Sequence, residues 1–140
     1  MGAITCQFVR PDRLLYEGEV ASLVLVTPSG EIGILPRHSP LICALGDGVV
    51  RLKLGESGKD EFRVIVSGGY AEVKDDHVII LADHARLVDD IEPDVVERTR
   101  IKAMAQRDRF AEGDTRRQYY QNKIKWCEML LYYAGEKQRR

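Results

Sequence analysis

The stretch "TPSGEIGILPRHSPLICALGDGVVRLK", residues 27–53, has the pattern of short β-strands joined by tight turns. Turn signals stand at 28–30, Pro-Ser-Gly, and at 46–48, Gly-Asp-Gly. After the second turn, the apolar residues Val50, Leu52 and Leu54 alternate with charged ones. A period of two places one face of a strand on a core. This stretch therefore predicts half-buried β-structure.

The loop in the middle of this stretch carries two prolines, Pro36 and Pro40, around a polar tip. Proline fixes its own φ and pushes the residue before it towards extended geometry. The tip, Arg37, His38 and Ser39, therefore has little conformational freedom. We expect such a rigid polar tip to be presented to a partner.

The same alternation continues on both sides of the stretch, and Asp75-Asp76 adds a further turn signal. The alternating apolar residues are Ile4, Cys6 and Phe8 near the start and Phe62, Val64 and Val66 further on. Strands that recur at such short intervals favour an antiparallel sandwich or barrel over βαβ units. We predict an α+β protein whose residues 1–90 form an N-terminal antiparallel β-sandwich.

Residues 91–140 differ from this first part in charge and in glycine and proline content. Residues 1–90 carry 9 Lys+Arg and 14 Asp+Glu, a balance of -5, whereas residues 91–140 carry 12 and 8, a balance of +4. Ten of the 12 glycines and four of the 5 prolines precede residue 91. This asymmetry indicates two units with different partners.

The second unit has the signals of a C-terminal α-helical hairpin. Pro93 suits a first helical position, Gly113 is expected to end the first helix, and Asp114 to cap the second. Apolar residues at helical spacing are Val96, Ala103 and Phe110 in the first helix and Tyr119, Tyr120, Ile124, Trp126, Cys127, Leu130, Leu131, Tyr133 and Ala134 in the second. Those of the second helix span an arc of roughly 220°. That helix either lies between its neighbour and the sandwich or exchanges this surface with another protein.

Two other function classes stay open on the residues alone. A basic hairpin with interleaved aromatic residues is compatible with a nucleic-acid-binding arm, although the first unit is acidic. A hydrolase would use His38, or His84 beside Asp83, as general base. No G-x-S-x-G motif accompanies these residues, and neighbours on a strand point to opposite faces.

Metal binding, disulfide bonding and membrane insertion are not indicated. Cys6, Cys43 and Cys127 lack CxxC spacing and are predicted to be reduced core residues. The 3 histidines lack the spacing of metal ligands. The apolar runs are far shorter than the roughly 20 residues of a spanning helix, and the first ten residues have no secretion-signal pattern.

Two motifs in the chain resemble those of a known family. The segment "SGEIGILPRHSPL", residues 29–41, and the segment "SGGYAEV", residues 67–73, resemble S-G-E-x-G-x-x-P-G-H-A-P-L and S-G-G-x-x-E-V of the epsilon subunit of the bacterial F-type ATP synthase. Both occur in the family's order, and the succession of sandwich and hairpin is that of the family.

The resemblance implies a non-catalytic rotor subunit rather than an enzyme. In that family the sandwich lies in the central stalk against the gamma subunit and the c ring. The hairpin either folds onto the sandwich or extends to the catalytic beta subunits, where it restrains ATP hydrolysis. The expected location is peripheral, on the cytoplasmic face of the cell inner membrane, and no nucleic acid is expected as a partner.

The resemblance also implies which residues make these contacts. The residues expected at the c ring are Glu31, Arg37, His38 and Ser39. The hairpin residues expected to act in regulation are Arg98, Arg100, Arg107, Arg109, Arg116, Arg117 and Lys123.

Two departures from the family pattern affect these expectations. Arg37 replaces the family's glycine and Ser39 its alanine, so a positive φ at Arg37 would cost about 1 kcal/mol. The ATP-binding motif of some members, I/L-D-x-x-R-A, is replaced by residues 91–96, "IEPDVV". We therefore expect no nucleotide cofactor.

Overall fold

The computed structural model describes residues 3–55 and 57–138, with side chains of the last helix described as far as residue 135. The predicted domain limits at residues 1 and 140 lie outside this part. The strands are β1 (Ile4–Arg10), β2 (Arg13–Val20), β3 (Ser22–Thr27), β4 (Gly30–Ile34), β5 (Leu41–Ala44), β6 (Asp47–Leu54), β7 (Asp60–Lys74) and β8 (His77–Leu87). A 3₁₀ turn (Val88–Asp90) and the helices α1 (Pro93–Arg107) and α2 (Thr115–Gln138) follow.

The chain forms two compact units that divide between Leu87 and Val88. The strands make up the first unit, and the 3₁₀ turn and both helices make up the second. The charge pattern places the change three residues later, between residues 90 and 91. The predicted α+β fold, strands followed by a helical hairpin, is confirmed.

The strands of the first unit lie in the order β2-β1-β8-β7-β6-β3-β4, and β5 also pairs with β7. β7 is 15 residues long and pairs with β6 through its first half and with β5 through its second. Between the two halves, Gly68 and Gly69 have φ of 76° and 117°, conformations that glycine adopts without strain. These glycines allow β7 to change partners while it stays paired with β8.

The core of this unit contains the alternating residues that the sequence pattern selects. Ile4, Cys6 and Phe8 are at most 1% exposed, and Val64 and Val66 are fully buried. Full burial of an aliphatic or aromatic side chain of this size stabilises a fold by about 1.5–3 kcal/mol. Alternation thus identified the inward faces of the strands correctly.

One strand pair departs from the predicted antiparallel sandwich. β1 and β8 are parallel, from Thr5 opposite His77 to Val9 opposite Leu81, whereas the other strand pairs of the described residues are antiparallel. β1 and β8 are the first and last strands, and no hairpin joins them. Alternation fixes which face of a strand is buried but not the direction of a distant partner.

The first helix begins at Pro93 as predicted, and its residues Val96 and Ala103 are buried. It ends at Arg107 rather than close to Gly113, so Phe110 lies in the connection between the helices. The guanidinium of Arg117 donates to the carbonyl oxygens of Arg107 and Phe110 at 3.2 and 3.0 Å. These bonds satisfy carbonyl groups at the helix end, a capping that apolar spacing does not reveal.

The second helix begins after Asp114, whose carboxylate accepts the amide of Arg116 at 2.8 Å, as predicted for an N-cap. Its buried residues are Ile124, Cys127, Leu130 and Ala134. Tyr119, at one edge of the predicted apolar arc, is 60% exposed. The covered part of α2 is therefore narrower than the arc predicted from spacing.

Candidate functional site

The tip of the proline-flanked loop is a tight turn. The amide of His38 donates to the carbonyl of Leu35 at 3.2 Å, Pro36 is the second residue of the turn, and Arg37 is the third, with φ of 66°. This combination defines a type II turn, whose third position favours glycine. Arg37 therefore bears the strain of about 1 kcal/mol that the sequence comparison with the family motif anticipated.

A second turn holds this tip. The backbone amide of Arg37 donates to the carboxylate of Asp76 at 2.6 Å. Asp75 and Asp76 connect β7 to β8 with φ of 52° and 60°, as the two central residues of a type I′ hairpin turn require. Within the tip, Nδ1 of His38 lies 2.7 Å from the carbonyl oxygen of Ser39. Side chains of Arg37 and Ser39 are exposed, whereas that of His38 is half-buried.

Glu31 lies apart from the other three residues expected at the c ring. It belongs to the start of β4, and its carboxylate is 2.5 Å from the guanidinium of Arg51. β4 ends at Ile34, roughly 10 Å along the strand from Glu31. Arg37, His38 and Ser39 come after this end. The structure thus groups the tip residues and places Glu31, 53% exposed in its side chain, on the neighbouring strand.

A surface that the sequence prediction missed lies on the outer face of the strands β2, β1, β8, β7 and β5. By register, Ile42, Ile79, Tyr70 and Leu14 all lie on the face opposite the core. They are 70, 38, 50 and 48% exposed. The available signal was the continuous apolar runs at 41–45 and 78–82, which indicate strands that are apolar on both faces. The exposed Glu72 is the register partner of both Ile42 and Ile79. Exposed apolar residues gathered on one face mark an interaction surface; we call these four residues the outer apolar face.

Most of the hairpin cations expected to act in regulation already bind groups within the hairpin. Arg100 pairs with Glu97, Arg107 with Asp108, Arg116 with Asp114, Arg109 with Gln106 and Arg117 with two carbonyls. The hydrogen bond between the Glu97 carboxylate and the Arg100 guanidinium lowers the pKa of Glu97 and raises the pKa of Arg100. The side chains of Arg98 and Lys123 are exposed and make no hydrogen bond or ion pair with another residue of the described ranges.

The groups that a hydrolase would use are not arranged as a nucleophile and its base. The hydroxyl of Ser67, opposite His84 in the strand register, donates to the carboxylate of Asp47 at 2.7 Å. Its proton is therefore directed away from an imidazole. Asp83 and His84 are neighbours on β8, and both are exposed between the buried Ala82 and Ala85. Burial raises the pKa of Cys6 to about 12, so this thiol is not a thiolate nucleophile.

Among residues 3–55 and 57–138, no three histidine, cysteine or carboxylate side chains gather as metal ligands would. None of the helices in that part combines the length and apolar character needed to cross a membrane.

Comparison with known proteins gives a consistent family. Residues 3–97 match the model of the β-sandwich domain of the delta/epsilon chain of ATP synthase. The chain is 43% identical over 107 residues to the ATP synthase epsilon chain of Alkalihalophilus pseudofirmus, which covers 76% of this chain and 74% of that protein. It is 32% identical over 133 residues to that of Microcystis aeruginosa, which covers 95% and 94%.

Solved structures share the fold. A chain of the mitochondrial ATP synthase of Euglena gracilis, solved with OSCP, F1 and the c ring, superposes with a TM-score of 0.69 at 21% identity over 99% of this chain and 82% of that chain. A chain of the central stalk and c ring of the Tetrahymena thermophila mitochondrial ATP synthase gives a TM-score of 0.56 at 12% identity, over 94% and 96%. At these identities the likeness is one of fold.

Proposed function

The chain belongs to the epsilon-chain family of ATP synthase, and we propose that it works as a non-catalytic rotor subunit in the central stalk of a bacterial F-type enzyme. In this role it links the catalytic head to the c ring and restrains ATP hydrolysis through its helical hairpin. The observation that carries the proposal is the sequence similarity to epsilon chains over most of the chain. In one relative the alignment covers 95% of the chain at 32% identity. Absence of the protein from a purified membrane-bound ATPase of its own source would contradict it.

The contact with the c ring is assigned to the tip residues Arg37, His38 and Ser39, together with Glu31. Support comes from the rigid turn, which presents exposed polar side chains at little further loss of conformational entropy. Replacing Glu31 and His38 together by alanine should leave the sandwich folded, because neither residue belongs to its core. We expect weaker attachment to the membrane sector and poorer coupling of hydrolysis to proton pumping. Glu112→Ala, which removes an exposed carboxylate from the hairpin turn, is the matched control.

The gamma subunit is assigned to the outer apolar face. Four of the exposed large apolar residues of the first unit share this face, and Leu35, 65% exposed, lies apart in the loop. Association with a large stalk subunit would cover this apolar surface.

This assignment is tested with co-expressed gamma subunit. The double variant Ile42→Ser, Ile79→Ser should lose capture by gamma at least roughly tenfold, because two of the four apolar contacts are removed. Leu35→Ser removes an exposed apolar side chain that lies outside this face and should bind gamma normally. Equal binding by all three proteins would place gamma elsewhere.

The hairpin is assigned the restraint of ATP hydrolysis, with its cations directed at acidic segments of the catalytic beta subunits. Its charge balance of +4 favours such an electrostatic contact. Salt at physiological concentration screens this attraction beyond about 8 Å. Deletion of residues 91–140 removes no member of the main sandwich core. We expect the truncated chain to assemble, and hydrolysis to rise while proton coupling remains.

The free cations provide a sharper test than deletion. Arg98→Gln with Lys123→Gln removes two of the regulatory charges whose side chains have no partner among the described residues, and it should give part of the release. Arg100→Gln is the control, because its charge is already paired with Glu97. Unchanged hydrolysis after deletion would make the hairpin a structural brace, and loss of the subunit from the complex would make it part of the attachment.

The location is assigned to the cytoplasmic face of the inner membrane, where the protein is held by its partners. In a bacterial extract we expect the protein in the membrane fraction, and in the soluble fraction after the membrane is stripped of its peripheral ATPase head and stalk. Recovery in the periplasm would contradict the assignment.

A further inference from the structure

Three non-glycine residues with positive φ in the described part of the chain meet at one contact. They are Arg37 (66°), Asp75 (52°) and Asp76 (60°). Positive φ costs a non-glycine residue on the order of 1 kcal/mol or more, so such residues persist where their surroundings fix them. Here two tight turns, Leu35–His38 and Lys74–His77, face each other across 39 residues of sequence.

The contact between the turns is a hydrogen bond to a charged acceptor. The amide of Arg37 donates to Oδ1 of Asp76 at 2.6 Å, short for a nitrogen donor, as charge-assisted bonds are. The Asp76 backbone is itself anchored, because its carbonyl accepts the amide of Thr5 on β1 at 2.9 Å. The carboxylate therefore extends from a fixed point of the sheet.

We propose that Asp76 is the positioning residue of the tip, holding Arg37 in the left-handed conformation that the type II turn requires. Its carboxylate does through a hydrogen bond what a glycine at position 37 does through its lack of a side chain. The turn keeps its shape and gains an exposed guanidinium, which has no hydrogen bond or ion pair to another residue in the described ranges. The consequence for attachment to the c ring rests on the proposed function, whereas the positioning itself does not.

Hydrogen exchange of the Arg37 amide, measured by NMR on the full chain, tests the positioning directly. Asp76→Gly removes the acceptor and also relieves the positive φ at position 76, so the hairpin turn should not suffer. We expect exchange of the Arg37 amide to accelerate at least roughly tenfold in this variant. Asp76→Asn keeps a side-chain oxygen and should restore much of the protection.

Asp75→Gly is the matched control. It removes the same charge from the same turn and relieves the same kind of strain, but Asp75 does not accept the Arg37 amide. Protection of Arg37 should therefore match that of the natural chain. Unchanged exchange in Asp76→Gly, or equal acceleration in Asp75→Gly, would overturn the positioning role.

Assembly separates this inference from the function on which it depends. Asp76→Gly should weaken attachment to the membrane sector when Arg37 is present and have little effect in an Arg37→Gly background, since glycine needs no help at positive φ. Such non-additivity supports positioning of a working contact. Faster amide exchange with attachment unchanged in both backgrounds would uphold Asp76 as the positioning residue and contradict the c-ring assignment of the tip.

Discussion

A β-carbon on Gly69 would lie 2.1 Å from the carbonyl oxygen of Leu81. No real β-carbon approaches a backbone oxygen so closely, and φ at Gly69 is 117°, where side chains are strained. Gly69 thus lets the long strand β7 pass against β8 where it changes its other partner. This accounts physically for the second glycine of the Ser67-Gly68-Gly69 motif.

Gly69→Ala should lower the free energy of unfolding by roughly 3 kcal/mol or more, because either β7 or β8 must move to relieve the clash. Gly33→Ala is the control, since a β-carbon there meets nothing within 4 Å. Its effect should stay within about 0.5 kcal/mol. Urea unfolding followed by circular dichroism measures both, and equal midpoints would contradict the steric account.

Stability should fall in mild acid through Glu61. Its carboxylate accepts a hydrogen bond from Lys53, which lowers the pKa of Glu61 below its ordinary 4.5. A lowered folded-state pKa gives stability that is present above pH 4.5 and lost as the pH falls through the lowered value. The pair is partly exposed, so we expect a loss of less than about 1 kcal/mol. Glu61→Gln should flatten this part of the pH profile, and an unchanged slope in this variant would contradict the account.

The thiols should react in a fixed order. Burial raises the pKa of Cys6 to about 12 and also raises the pKa of Cys43, but Cys6 is fully buried while Cys43 is half-buried. Maleimide at pH 8 should therefore label Cys43 in the native protein and Cys6 only after unfolding. Peptide mass spectrometry reads this order directly. Native labelling of Cys6 in a Cys43→Ser variant would show that β1 opens locally.

Removal of the α2 cap should weaken the hairpin. Asp114→Ala takes away the acceptor of the Arg116 amide and an ion pair, and should cost about 1 kcal/mol of helix stability. Glu112→Ala removes the same charge two residues earlier without touching the cap. Thermal melting by circular dichroism at 222 nm should separate the two variants, and an identical melting temperature would contradict the capping role.

The isolated protein should bind ATP weakly or not at all at millimolar concentration. Val95 stands at the arginine of the family motif and Val96 at its alanine, and neither side chain can donate a hydrogen bond. Val96 is moreover only 5% exposed. Calorimetric titration that gave a micromolar dissociation constant would refute this.

The sequence predicted the features that short-range chemistry controls. Alternation identified the inward residues of β1, β6 and β7, and Pro93 and Asp114 marked the starts of both helices. These signals need only a few neighbouring residues. The same holds for the stiff loop, because its prolines act on their own backbone.

Features that depend on distant residues were not predicted. The end of α1 depends on Arg117, ten residues beyond that helix, so the glycine at 113 was a misleading stop signal. The hydrogen bond from the Arg37 amide to Asp76 joins two residues that are 39 positions apart, so no local pattern predicts it. The outer apolar face appears only when the strand register places its four residues on the same side of the sheet.

The parallel pairing of β1 with β8 also bears on how the protein is made. During synthesis the first strand leaves the ribosome with only β2 as a ready neighbour, and its other edge stays open until Leu81 has emerged. A nascent chain therefore carries an unpaired strand edge for most of the translation of the sandwich, a state prone to aggregation. Completion of the sheet becomes a late event with a large loop to close. Stalling translation between residues 60 and 75 should consequently leave a chain that chaperones bind, and release beyond residue 87 should free it.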